Sequence, residues 1–84
     1  MTQINLQGDV GFEITANGLR EQFAASDGEV DLTINSPGGS VFEGFAVHNA
    51  IRDFQREGGT VTARIVGLAG SAASYIPMAV ETVV

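Results

Sequence analysis

Two short segments rich in glycine and serine contain the residues of this chain that are best suited to chemistry. Residues 36–39 have the sequence Ser-Pro-Gly-Gly, and residues 67–73 have the sequence Gly-Leu-Ala-Gly-Ser-Ala-Ala. Glycines leave backbone N–H groups unshielded and a helix N-terminus adds partial positive charge, so the first segment is suited to holding an oxyanion. The second places Ser71 at a predicted strand-to-helix turn among very small neighbours, where a nucleophilic hydroxyl is accessible.

Each segment also has a purely structural interpretation, which is the more common one when the segment is taken alone. The first is typical of a tight turn in which glycine adopts an unusual φ and Ser40 caps the next helix. In the second, Ser71 can cap a helix while its alanine neighbours allow close packing. Ser36 and Ser74 are weaker candidates for a nucleophile, since Ser36 precedes a proline in a turn and Ser74 lies one helical turn beyond Ser71.

The elements that position these segments alternate between strand and helix. Apolar alternation predicts three strands, at residues 3–7, 30–35 and 60–66. Helical spacing and cap residues predict three helices, at residues 15–25, 40–57 and 71–79. This β-α-β-α-β-α order predicts an α/β fold with a largely parallel sheet, and sites in such folds form at the loops that leave the carboxyl ends of strands.

The second predicted helix carries the clearest local signals. Ser40 and Glu43 form the capping-box pattern, a hydroxyl at the cap with a glutamate three residues later. Residues with helical spacing predict its buried face, namely Phe42, Phe45 or Ala46, Ala50 and Phe54. After the third helix, the apolar run at residues 80–84 is typical of a further strand, which we expect to end before it can pair.

The composition limits both the size of the fold and its possible ligands. The chain has 84 residues, 44% of them hydrophobic and 17% charged, as expected for one small domain with an ordered core. A net charge of −6 without any lysine argues against nucleic acid and anionic membranes. The absence of cysteine and the single histidine, His48, argue against a metal site. With no apolar run of about 18–20 residues and no signal segment, a cytoplasmic protein is expected.

Together the two segments are far more specific than either is alone. The motif I-N-S-P-G-G-S-V at residues 34–41, followed about thirty residues later by G-L-A-G-S-A-A-S at residues 67–74, resembles the proteolytic subunit of Clp protease. It is similar in particular to the Clp-like head-maturation proteases of tailed phages, and Gly44 and Ala46 also fit their pattern. The resemblance covers nearly the whole chain. It implies a ClpP/crotonase-like spiral of β-β-α units, present as one partial domain over residues 1–84 and incomplete at the C-terminus.

The resemblance also implies a set of site residues and partners. Ser71 is the implied nucleophile, the backbone N–H groups of Gly39 and Ala72 form the oxyanion hole, and Gly38 and Gly39 line the groove for an extended substrate. The implied chemistry is acyl transfer without cofactor or metal. The implied partners are a polypeptide substrate, further copies in a homo-oligomeric ring, and either an AAA+ unfoldase or phage capsid and scaffold proteins in the host cytoplasm.

The catalytic base is the point at which the chain departs from the family. The histidine and aspartate of the family lie downstream of the serine, whereas the 13 residues after Ser71 contain no histidine. His48 lies eight residues past Ser40, which is about 12 Å along a helix, so we expect an ordinary helix residue there. The chain is therefore expected to be an N-terminal fragment that is inactive alone.

Two other functions remain open at this point. A short or degenerate relative can keep the fold and serve only in assembly or peptide binding. A crotonase-type acyl-CoA enzyme shares the spiral architecture and uses paired N–H groups on a thioester oxyanion, although the residues around Ser71 favour the protease.

Overall fold

Four strands and three α-helices alternate along the described part of the chain. The computed structural model describes residues 1–80 and 82–83, and all of their side chains except those of residues 67–69, 71, 72, 75, 82 and 83. The strands are β1 (Thr2–Gln7), β2 (Glu29–Ser36), β3 (Thr60–Ala69) and β4 (Thr82–Val83). The helices are α1 (Ala16–Ala24), α2 (Val41–Arg56) and α3 (Tyr75–Met78), and a 3-10 turn at Ser71–Ser74 precedes α3. None of the helices in these residues is long and apolar enough to cross a bilayer.

The four strands form one sheet in the order β1-β2-β3-β4, and every neighbouring pair is parallel. This confirms the predicted α/β class and parallel sheet. The prediction that the last apolar run would end before pairing is wrong, since Thr82 lies opposite Thr62 and Val83 lies opposite Ala63. Strand β3 pairs with β2 along one side only. The backbone groups on its other side pair with the extended, β-branched segment Thr82–Val83.

Strand β2 is the centre of the core because one of its faces is apolar over most of its length. Val30, Leu32 and Ile34 alternate along it and are at most 1% exposed, and burying each such side chain stabilises the fold by about 1.5–3 kcal/mol. The opposite face carries Asp31, which is buried and accepts hydrogen bonds from Gln3 at 3.1 Å and Arg64 at 3.1 Å. A buried carboxylate is tolerated because it is paired, and these two contacts tie β2 to both of its neighbours.

Helix α2 packs on the sheet through a face that matches the predicted one only in part. Its buried residues are Gly44, Val47, Ala50 and Ile51. Ala50 lies on the predicted face, and Ala46, the alternative to Phe45, packs against the core. Phe42 is 89% exposed and Phe45 is 48% exposed, so the prediction is wrong for these two side chains. The first turns of the helix are apolar on several sides, so helical spacing alone fits more than one face. Phe54 does pack against the core, where its ring stacks on Phe23 with centroids 4.2 Å apart.

The cap residues of both long helices act as predicted, but the glutamate of the capping box does not. The Thr15 hydroxyl accepts from the Gly18 N–H at 3.1 Å, and the Ser40 hydroxyl accepts from the Glu43 N–H at 3.2 Å. The Ser40 N–H donates to the Val10 carbonyl instead of to Glu43. The Glu43 carboxylate accepts from the Ala16 N–H at 3.2 Å, so it lies between the N-termini of α1 and α2, where the helix dipoles favour negative charge.

A charged pair joins the first residue to the loop before β2. The Met1 ammonium lies 2.6 Å from the Asp27 carboxylate. The hydrogen bond from that ammonium, followed by the one from the Glu29 N–H, lowers the pKa of Asp27 from 3.8 to about 2. In return, the hydrogen bond to Asp27 raises the pKa of the Met1 amine above its ordinary value of 8.0.

Acetylation of the Met1 amine is expected to raise the pKa of Asp27 part of the way back towards 3.8, because the Glu29 N–H still donates. A depressed carboxyl pKa gives stability that is present above 3.8 and is lost as the pH falls towards 2. The raised pKa of the amine gives stability that is present below 8.0 and is lost as the pH rises through the raised value. An NMR titration of the Asp27 carboxyl carbon measures the change. An identical midpoint in the free and acetylated chains would show that the ammonium contact is not formed.

Candidate active site

A backbone hydrogen bond at the end of the sheet joins the two glycine- and serine-rich segments. Strand β2 ends at Ser36 and strand β3 ends at Ala69, and these two residues lie opposite each other in the sheet. The Gly70 N–H then donates to the Ser36 carbonyl at 3.0 Å. Because the carboxyl ends of parallel strands share one edge of a sheet, this bond places the segment that starts at Ser36 beside the residue that precedes Ser71.

Gly38 and Gly39 have backbone conformations that require glycine. Their φ angles are +121° and +142°. The Val10 N–H donates to the Gly38 carbonyl at 2.8 Å, and the Val10 carbonyl accepts from the Ser40 N–H at 2.8 Å. A Cβ atom on Gly39 would lie 2.8 Å from the Val10 nitrogen and closer still to its carbonyl oxygen. The chain after β1 therefore holds this loop at a separation that only glycine permits.

The two glycine N–H groups differ in whether they are available to a ligand. The Gly38 N–H donates to the Ser36 hydroxyl at 3.1 Å. The Gly39 N–H has no acceptor among the residues that the structure describes, and Gly39 is exposed. Helix α2 begins two residues later and adds positive potential at its N-terminus. The loop can thus offer an N–H group to an anion at Gly39, and the assignment of Gly39 to an oxyanion hole stays a prediction.

Ser71 begins the 3-10 turn rather than a continuous α-helix. The Ala73 N–H donates to the Gly70 carbonyl at 3.0 Å, which closes this turn, and α3 follows from Tyr75. Pro77 lies in the first turn of α3, where its missing N–H costs nothing. The side chains of Ser71 and Ala72 lie outside the described residues, so their roles as nucleophile and oxyanion residue also stay predictions.

The structure describes the positions of two titratable groups relative to the glycine loop. His48 lies on α2, half-buried and eight residues beyond the Ser40 cap. The Glu13 carboxylate is engaged by the Asp9 N–H at 2.6 Å. In the part of the chain that the structure describes, no three or more histidine and carboxylate side chains gather where they could hold a metal ion.

An open cavity of about 540 Å³ lies against the glycine loop. The turn after β1 and the loop after β2 form its two walls, with Asp9, Val10, Gly11, Phe12, Pro37, Gly38, Gly39 and Ser40 as lining residues. Sequence reasoning missed the first wall, although its residues follow the carboxyl end of β1. The rule that such ends share one edge of a parallel sheet is the signal that could have found it. Phe12 is 82% exposed on that wall.

Comparison with known proteins shows the family of this chain. The chain matches the Clp protease family over residues 4–83. The chain belongs to the Clp protease family. Among solved structures it is similar to ClpP1 from Listeria monocytogenes, with a TM-score of 0.79 and 26% sequence identity over 94% of this chain and 46% of that one. A point mutant of the same ClpP1 gives the same values.

The Clp protease fold is therefore confirmed, over somewhat less than half the length of those structures. A comparison with curated protein sequences finds no significant match. The closer likeness to phage head-maturation proteases stays a prediction.

Proposed function

We propose that this chain supplies the nucleophile half of a Clp-like serine endopeptidase site. The observation that carries the proposal is the Gly70-to-Ser36 hydrogen bond, which brings the Ser71 turn beside a loop whose Gly39 N–H is open. Membership of the Clp protease family supports the same assignment. In this proposal Ser71 is the nucleophile, and the N–H groups of Gly39 and Ala72 form the oxyanion hole.

The proposed reaction is acyl transfer to Ser71. The hydroxyl oxygen attacks the carbonyl carbon of the scissile peptide while its proton passes to a base, and the carbonyl oxygen becomes an oxyanion held by the two N–H groups. The C–N bond then breaks, the proton returns to the leaving amine, and water hydrolyses the acyl-enzyme. One such N–H donor stabilises the transition state by about 2.7–4 kcal/mol.

The base and the acidic residue that orients it are proposed to come from outside these 84 residues. His48 is the single histidine of the sequence, and its place on α2 puts it about 12 Å along the helix axis from the Ser40 cap. We therefore propose that the 84 residues alone do not turn over peptides.

The proposed substrate is a polypeptide, bound in extended form against Gly38 and Gly39. The open cavity beside these glycines supports this, since Gly39 lines it and is exposed. We further propose a cytoplasmic protein that forms a homo-oligomeric ring with an unfoldase or phage capsid proteins as partners. The exposed apolar side chains of Phe12, Phe42 and Met78 are the kind of surface that subunit contacts cover.

A fluorophosphonate probe, which reacts with activated serine hydroxyls, tests the proposal. The 84-residue chain is expected to remain unlabelled, whereas any longer product of the same gene is expected to be labelled at Ser71. The Ser71→Ala variant should lose the label, and the Ser74→Ala variant, altered three residues further on in the same turn, should keep it.

Labelling of the 84 residues alone would show that they contain a working base. A complete lack of labelling in both chains would favour the assembly or peptide-binding protein, and tight binding of acyl-CoA thioesters would favour a crotonase-type enzyme.

A further inference from the structure

Ser36 is a fully buried polar residue at the junction of the two loops. Its side chain is 0% exposed, although serine is usually a surface residue. The hydroxyl accepts from the Gly38 N–H at 3.1 Å and lies 3.4 Å from the Gly38 carbonyl oxygen. The backbone carbonyl of the same residue accepts from the Gly70 N–H at 3.0 Å. Ser36 is thus bonded both to the glycine loop and to the residue before Ser71.

The burial of this hydroxyl decides between two roles. A buried hydroxyl that is not hydrogen-bonded destabilises the fold, and this one is bonded entirely within the loop. No buried side-chain N or O atom in the described residues is left without a partner. With no exposed surface the Ser36 hydroxyl cannot meet a substrate, so it is not a second nucleophile. What it can do is fix the orientation of the Gly38 peptide.

We propose that Ser36 is a positioning residue for the Ser71 site. Its hydroxyl accepts a hydrogen bond from the Gly38 N–H and so fixes the conformation of the loop. In that conformation the next N–H group, that of Gly39, is open to an oxyanion. Its carbonyl holds Gly70 and hence the start of the Ser71 turn at a fixed separation from that loop. This inference rests on the proposed function for its catalytic part, whereas its structural part concerns only Ser36, Gly38 and Gly70.

The structural part is tested by amide hydrogen exchange on the full chain. In the Ser36→Ala variant the Gly38 amide is expected to exchange about two- to tenfold faster, the effect of losing one ordinary hydrogen bond. The Gly70 amide should be unchanged, because its acceptor is the backbone carbonyl of residue 36. If the Gly38 amide exchanges freely in the folded wild type, or if the variant leaves its exchange unaltered, the proposal is wrong.

A matched control exists at the other end of the sheet. The Ser26 hydroxyl accepts from the Gly28 N–H at 3.2 Å, the same contact over the same sequence separation, and Gly28 has a φ of +90°. The Ser26→Ala variant should speed exchange at Gly28 and leave Gly38 as it is. If Ser36→Ala fails to fold, Ser36→Cys keeps the side-chain shape with a larger atom that is a weak acceptor, and it is expected to show the same local loss at Gly38.

The catalytic part is tested by the rate at which a fluorophosphonate labels Ser71 in the longest chain that reacts. Ser36→Ala should slow labelling by about a hundredfold, the scale expected when a reacting group is displaced by about 1 Å, while Ser26→Ala should leave the rate unchanged. Faster Gly38 exchange with an unchanged labelling rate would overturn the positioning role. If wild-type Ser71 never reacts, the proposed function fails, and the exchange data still decide whether Ser36 holds the glycine loop.

Discussion

Replacing Gly39 with alanine is expected to destabilise the chain and, in a longer chain that reacts, to slow the proposed reaction at Ser71. The φ of Gly39 is +142°, and a non-glycine residue in such a sparsely populated region costs about 1–3 kcal/mol. The new Cβ would also lie 2.8 Å from the Val10 nitrogen and closer still to the Val10 carbonyl. Relief of that clash requires the backbone to shift, which adds about 1–3 kcal/mol by analogy with overpacked cores.

Gly28→Ala is the matched control, since it separates backbone strain from the clash. The φ of Gly28 is +90°, but a Cβ atom there would meet nothing within 4 Å. Chemical denaturation should therefore give a smaller loss of unfolding free energy for Gly28→Ala than for Gly39→Ala. In a reactive longer chain, Gly39→Ala should slow fluorophosphonate labelling by about 10²–10³-fold, because the backbone shift moves the N–H of residue 39 away from the oxyanion and has the effect of losing that donor. Equal losses of stability in the two variants, with no change in labelling, would show that Val10 does not hold the Gly39 loop.

Local signals in the sequence predicted most of the fold. The strand pattern at Val30, Leu32 and Ile34 marks the buried face of β2, and these three residues do lie in the core. Thr15 and Ser40 were identifiable as caps because a hydroxyl side chain bonds an N–H only a few residues away. Such features depend on neighbours in the sequence, so one chain without relatives is enough to predict them.

Features that depend on distant contacts were not predictable in the same way. Glu43 has the spacing of a capping box, but its carboxylate bonds the Ala16 N–H on another helix. The approach of Val10 to Gly39 depends on where β1 ends relative to β2, which no local pattern contains. The same is true of the Ser36 hydroxyl, whose turn was predicted but whose complete burial was not.

The site was predictable to a similar extent. The two segments were recognisable by composition, and the parallel order of the strands explains why they meet at one edge of the sheet. Composition could not show which of the two glycine N–H groups is open. The answer depends on a hydrogen bond from the Gly38 N–H to the Ser36 hydroxyl. The segment at residues 9–12 was likewise not recognised as a wall of the cavity.

Truncation of Ile51 to alanine is expected to be among the most destabilising changes in α2, whereas truncation of Phe42 should have little effect on folding. Ile51 is 0% exposed and Phe42 is 89% exposed. Loss of a buried isoleucine side chain lowers the unfolding free energy by about 2–5 kcal/mol. That is a large share of the total for a domain of this size, which is only about 0.05–0.15 kcal/mol for each residue. An exposed site away from special features usually changes the unfolding free energy by less than about 0.5 kcal/mol.

The pair also tests which face of α2 packs on the sheet, since the spacing of the aromatic residues predicted Phe42 on the buried face. Urea denaturation of both variants over a range of protein concentrations distinguishes the outcomes. A small effect for Phe42→Ala and a large one for Ile51→Ala would support the packing through Gly44, Val47 and Ile51. A cost at Phe42 that grows with protein concentration would place its ring in a contact between subunits, because only association depends on concentration. A large cost that is independent of concentration would place the Phe42 ring in the core.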